Sequence, residues 1–132
     1  MSSNNTRKIF VIEDNKTEGM LLKLCLSSIS NVSITNYSRG GDLLNSLNEN
    51  PDIVIADLML PDISGIELIK KTLEYNPKIN VIVVSAQRDI DVVAKVQELG
   101  VYNYLVKSET CIEYLQKVIS NLITLLDLRD YS

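Results

Sequence analysis

"DIVIAD", Asp52 to Asp57, followed at once by "LMLPDISGIEL", Leu58 to Leu68, decides the fold. Ile53, Val54, Ile55 and Ala56 form an unbroken apolar row between two aspartates, too short for a helix and apolar at both alternating positions. Strands buried on both faces of a parallel sheet read this way. The row stops at Asp57, and Pro61 and Gly65 shape the loop that follows. From Ser64 to Tyr75 the residues Ile66, Leu68, Ile69 and Leu73 recur at helical spacing. One strand, one loop and one helix make a βα unit.

Four more units flank it. "KIFVIED" (8–14), "VSITNY" (32–37), "NVIVVSA" (80–86) and "VYNYLVK" (101–107) have the same Val, Ile and Tyr enrichment. Between and after them lie amphipathic segments. Lys16 to Ser28 places Met20, Leu21, Leu24 and Ile29 on an expected core face, and Asp89 to Leu99 does so with Val92, Val93, Val96 and Leu99. A shorter helix is expected over 39–47. The last runs from Glu109 to about Leu128, with Ser108 placed to cap it. Five uninterrupted βα units imply a doubly wound α/β sandwich, a five-stranded parallel sheet with helices on both faces.

The whole is one domain. The chain has 132 residues, 45% hydrophobic and 23% charged, the range of an ordinary globular domain. "MSSNNTRK" lacks the apolar core of a signal peptide, and no apolar run approaches the ~18 residues of a membrane span, so a cytoplasmic protein without membrane contact is expected. A formal charge of −4 argues against direct nucleic-acid binding, which needs a clustered basic surface. There is no histidine, which removes imidazole metal sites and histidine triads. Cys25 and Cys111, far apart and in no C-x-x-C pair, read as small buried hydrophobes.

The polar punctuation falls on one edge of the sheet. Glu13 and Asp14 end the first strand, Asp57 the third, Ser85 the fourth and Lys107 the fifth. In the flavodoxin-like strand order 2-1-3-4-5 the first and third strands are neighbours at the switch point, where ligand sites form. That order would gather Glu13, Asp14 and Asp57, and three carboxylates so close raise one another's pKa unless a cation joins them. An oxygen-only donor set suits Mg²⁺, with Mn²⁺ as a substitute.

"VIEDN", "DIVIADLMLPDISGIEL", "VIVVSA" and "YNYLVKS", in this order and spacing, resemble the receiver domain of two-component response regulators, from about Lys8 to Leu126. The resemblance implies a CheY-like, flavodoxin-like (βα)5 receiver over 8–128, after a disordered or extended segment 1–7 and before a tail 129–132. It implies that Asp57 is the phosphoacceptor, modified from a phosphohistidine of a sensor kinase or phosphotransfer protein. Asp14, Asp57 and the Met59 backbone carbonyl would hold the Mg²⁺, with Glu13 acting through water. Lys107, Ser85, Ala86 and Leu58 would bind the phosphoryl group. Ser85 and Tyr104 would switch, reshaping the surface of the fourth helix, fifth strand and fifth helix that a downstream protein or output domain reads. Such a chain catalyses only its own phosphorylation and dephosphorylation. Met59 and Gln87 match positions that tune how fast the phosphoryl group is lost, and an apolar Met59 would shield it.

Three features depart from the family pattern. Lys107 is followed by Ser108 where the family has proline after a cis bond; a cis bond before a non-proline residue costs ~2.5–4 kcal/mol, so either a trans bond with a rearranged loop or a strained cis bond is expected. Met59 is the second. The third is the last helix, whose stripe Ile112, Leu115, Ile119, Leu122 and Leu126 is widened by Val118, Ile123, Leu125 and Leu128. That surplus serves packing, a homodimer face or a connector to an output domain. The competing function class is a receiver-like scaffold that works without phosphorylation, against which Asp57, Ser85, Lys107 and the acidic pair all argue. An aspartyl-phosphate hydrolase would want an Asp where Met59 stands, and no Gly-rich nucleotide loop is present.

Overall fold

A computed structural model describes residues 6–131 of the chain. The strands are β1 (Arg7–Ile12), β2 (Val32–Tyr37), β3 (Ile53–Ala56), β4 (Asn80–Ser85) and β5 (Asn103–Val106). The helices are α1 (Lys16–Leu26), α2 (Gly40–Asn45), α3 (Gly65–Tyr75), α4 (Ile90–Glu98) and α5 (Cys111–Asp130), with a 3₁₀ turn at Leu47–Glu49 after α2. All four strand pairings are parallel and the order is β2-β1-β3-β4-β5. This is the expected doubly wound sheet. Of the segment expected before the domain, residues 1–5 lie outside the described residues, whereas Arg7 opens β1.

Alternation along the strands builds two cores. Ile9, Val11, Ile53, Ile55, Ile82, Val84 and Leu105 face one side, where Leu22 and Leu26 of α1 and five residues of α5 cover them. Phe10, Ile12, Val54, Ala56, Val81 and Val83 face the other, under Leu43 of α2, Leu68 and Ile69 of α3 and Val96 of α4. The inner strands β1, β3 and β4 are apolar at consecutive positions because both of their faces are covered, whereas the edge strand β2 alternates and exposes Ser33, Thr35 and Asn36.

Two helices differ from the sequence reading. In α1 the core residues are Gly19, Leu22 and Leu26, while Met20, Leu21 and Leu24 stand exposed. Met20/Leu24 and Leu22/Leu26 are two apolar pairs on opposite sides of the helix, each spaced by one turn. Leu22 and Leu26 take the core side, packed with the sheet and α5, and Gly19 lies in ordinary contact with Asn36 and Glu13. In α5, Val118 and Ile123 complete the core, and Leu125 and Leu128 remain exposed. The N-cap of α5 is Thr110, without a side-chain cap, and not Ser108, whose carbonyl accepts from the Cys111 N–H at 3.3 Å. The Lys107–Ser108 bond is trans, since no cis peptide occurs among the described residues. The proline-free junction thus takes the ordinary isomer, and the loop to α5 absorbs the change.

Candidate functional site

The switch point between β1 and β3 holds the site. Glu13 follows β1, its N–H donating to the Tyr37 carbonyl at 3.1 Å, and Asp57 follows β3, its N–H donating to the Ile12 carbonyl at 3.2 Å. These strand-type bonds fix both carboxylates at the sheet edge. The loop after Asp57 is pinned in turn. Gly65 brings α3 against the Leu58 backbone, where a Cβ would collide, and its N–H donates to the Leu58 carbonyl at 3.1 Å. Asp62 ties the same loop to the start of α2 by accepting from the Gly40 and Gly41 N–H groups, both at 2.9 Å. Those two donors hold its carboxyl below the usual range.

Lys107, one residue past β5, reaches into this edge. Its Nζ lies 2.8 Å from Asp57 Oδ2, 3.1 Å from Glu13 Oε1 and 2.8 Å from Glu18 Oε1. The Glu13 and Asp57 side chains are only 5% and 7% exposed, Lys107 23% and Glu18 43%. One ammonium therefore serves three carboxylates, two of them buried. Burial pushes the Glu13 carboxyl up, and the charge of Asp57 adds to it; the Lys107 ammonium offsets part, leaving it at about 7. Burial acts the same way on Asp57, but the Lys107 ammonium and the Met59 N–H, 3.1 Å from Oδ1, outweigh it and hold Asp57 below the usual range. Burial alone would pull Lys107 down; its three acidic partners instead raise it well above an ordinary lysine.

The remaining expected residues are placed as follows. Ser85 ends β4 fully buried, with Oγ accepting from the Gln87 N–H at 3.2 Å. The Tyr104 phenol donates to the Gln87 carbonyl at 2.9 Å, so both side chains bond the Gln87 backbone. Tyr104 is half-buried against the α3–α4 core, and burial raises its phenol above the usual range. The Gln87 side chain turns to the Asp89 N–H at 2.9 Å. Ala86 is exposed and Leu58 half-buried. The Met59 side chain is 72% exposed.

Asp14 is exposed, and among the described residues no three of His, Cys, Asp or Glu gather as a metal cage. The gathered carboxylates are Glu13, Asp57 and Glu18 instead. Adjacent residues at a strand end diverge, so Glu13 turns in and Asp14 out. Sequence reading missed Glu18 because it sits three residues after the N-cap Asn15, donating its N–H to Asn15 Oδ1 at 3.0 Å, and so reads as a capping residue. Its one signal is its place one turn after the acidic pair.

With this geometry in view, comparison with known proteins gives one answer. The response regulator receiver domain family matches residues 9–119, and the chain belongs to that family. It is 25% identical over 100 residues to the DNA-binding transcriptional regulator NtrC of Escherichia coli K12, covering 75% of this chain but 21% of that protein. The chain thus spans about a fifth of that relative's length. Among solved structures, the BeF3-activated receiver domain of DrrB, from Thermotoga maritima, superposes with a TM-score of 0.82 at 28% identity, covering 90% of this chain and 98% of that one. The Mn(2+)-bound response regulator Rcp1 follows at 0.72 and 26%, covering 88% and 91%. No helix among the described residues is long and apolar enough to cross a membrane.

Proposed function

We propose that this receiver domain accepts a phosphoryl group on Asp57 from the phosphohistidine of a kinase or phosphotransfer protein, and that the modification switches a partner-binding surface. The observation that carries this is the buried Asp57 carboxylate at the switch point with the Lys107 ammonium 2.8 Å away. Burial with a cation keeps the carboxylate ionised and positioned as a nucleophile. An Asp57 oxygen forms the new bond to phosphorus as the bond from phosphorus to the donor nitrogen breaks, and the electron pair leaves with the imidazole. Such transfer asks for alignment and for neutralised charge on the phosphoryl oxygens. Lys107 supplies one counter-charge, and the Ser85 hydroxyl and Ala86 N–H stand at the end of the neighbouring strand.

The oxygen-only chemistry of this sheet edge suits a hard divalent cation: the buried Glu13 and Asp57 carboxylates share a single ammonium with Glu18, and Asp14 stands exposed beside them and would turn toward the ion. Asp14, Asp57 and the Met59 carbonyl would hold Mg²⁺ or Mn²⁺ directly, and Glu13 through water. The metal would supply further neutralisation of phosphoryl charge. Ser85 and Tyr104 both bond the Gln87 backbone, one at its N–H and the other at its carbonyl, which supports a linked switch in which the hydroxyl moves to the phosphoryl group. The readout face is α4–β5–α5, where Ile90, Tyr102 and Tyr114 are exposed and a cavity of about 210 Å³ opens between Tyr104 and Tyr114. For Met59 to slow hydrolysis, its exposed side chain must close over the phosphoryl group. A homodimer through the exposed Leu125 and Leu128 of α5, or an output domain beyond it, would use the far end of α5, at the amino-terminal edge of the sheet. The setting is cytoplasmic, where such donors act.

Intact-protein mass spectrometry after incubation with acetyl phosphate tests this reading. One phosphoryl adduct that requires Mg²⁺ and is lost in Asp57→Ala is expected. An adduct that survives Asp57→Ala, or none at all, would leave the phosphorylation-independent scaffold in front.

A further inference from the structure

An ammonium has three N–H donors, and three carboxylate oxygens surround Lys107 Nζ at 2.8, 3.1 and 2.8 Å. The cation is saturated, so an incoming phosphoryl oxygen finds no free donor until one carboxylate leaves. Asp57 is the nucleophile and stays. Glu13 is buried, and moving off the ammonium would leave its oxygen with no water to replace the bond. Glu18 is nearly half exposed and can return to water at small cost.

The local backbone does not explain why Glu18 reaches Lys107. In a capping box the third helical residue turns its carboxylate back to the N-cap N–H. Here the Asn15 N–H faces Glu13 Oε2 at 3.5 Å, and the Glu18 carboxylate runs to Lys107 instead. A cavity of about 50 Å³ bordered by Glu18, Leu21, Lys107 and Ile112 lies beside the pair.

We propose that Glu18 is a positioning residue, a displaceable third ligand of Lys107 that occupies the place of a phosphoryl oxygen and is ejected by it. The inference rests on the phosphoacceptor reading. Glu18 keeps Lys107 drawn over Asp57 in the resting state and competes with the anionic donor. Its release also frees the first turn of α1, beside the exposed Met20 and Leu21.

The test is the second-order rate of Asp57 phosphorylation by acetyl phosphate with saturating Mg²⁺, followed by intact mass, for wild type, Glu18→Gln and Glu98→Gln. Glu98 ends α4 and removes the same charge without touching Lys107. Glu18→Gln should react about two- to five-fold faster, the scale set by one half-exposed ion pair. It should bind the phosphoryl mimic fluoroberyllate tighter by a similar factor, with an unchanged melting temperature, which a merely structural role would not produce. Glu98→Gln should match wild type. A Glu18→Gln rate at or below wild type, or an equal gain in Glu98→Gln, overturns the proposal while leaving the phosphoacceptor reading intact. A wild type that takes up no phosphoryl group overturns both.

Discussion

The two ends of the sheet carry the same charge formula and opposite arrangements. At the amino-terminal end, Arg7 holds Asp52, Asp127 and Asp130 at 3.5, 2.7 and 2.6 Å; at the carboxyl end, Lys107 holds Asp57, Glu13 and Glu18. At the base the cation is buried, 9% exposed, and its carboxylates are 30–51% exposed. At the top two carboxylates are buried and the cation is wetter. Buried positive charge with solvated acids is complete in itself, and the planar guanidinium fork locks the last turn of α5 to β1. Buried negative charge served by one shared ammonium still calls for cations, and Lys107 is a point charge able to exchange partners. A staple and the proposed phosphoryl site thus differ in which sign is desolvated.

Removing each cation should break the comparison most clearly. Lys107→Met should slow phosphorylation by acetyl phosphate about 100-fold or more, the scale of losing one aimed charge at a developing anion. Rates measured by mass spectrometry within ten-fold of wild type would contradict the site geometry. Arg7→Met should cost about 1–3 kcal/mol in urea unfolding, because Asp127 and Asp130 of α5 lose their guanidinium donor and Asp52 before β3 loses one of its two. Its phosphorylation rate should stay within two-fold of wild type.

The pH dependence sharpens the contrast. The Glu13 carboxyl is raised from 4.5 to about 7, so the folded state keeps a proton that the unfolded state gives up earlier. Its contribution is full below about pH 4.5 and lost as pH rises through 7, on the order of 1–3 kcal/mol without metal. Asp57, held low, works in reverse, contributing above its ordinary pKa and losing that as pH falls. Without Mg²⁺, melting should therefore fall between about pH 4.5 and 7, and Glu13→Gln should flatten that slope. Mg²⁺ should flatten it too, by taking the proton's place. An unchanged slope in Glu13→Gln would show that the proton is held elsewhere.

The smallest effect is expected at the switch pair. Tyr104→Phe removes one hydrogen bond to Gln87, about 0.5–1.5 kcal/mol in urea unfolding. A loss above 3 kcal/mol would make Tyr104 a core residue first.

What the sequence made legible follows from the same physics. Strands covered on both faces advertise themselves as apolar rows and the edge strand β2 by alternation, so all five strands and the sheet-edge positions of Glu13, Asp57, Ser85 and Lys107 were readable. The face of α1 was not. A helix with apolar residues on opposite sides carries no clear period to choose by, and the choice fell to what Leu22 and Leu26 meet across the fold in the sheet and α5. Glu18 was hidden behind its role at the helix start, and Arg7 behind a strand end whose acidic partners lie 45 and 120 residues or more away. Contacts set by the meeting of distant elements leave no local mark.

The central claim concerns one carboxylate. Borohydride reduction of the acetyl phosphate-treated protein converts an aspartyl phosphate into homoserine with release of phosphate, and peptide mass mapping then locates the change. Homoserine at position 57 and nowhere else is the predicted result. Homoserine at Asp14 or another acidic residue, or an unaltered Asp57, would contradict the assignment.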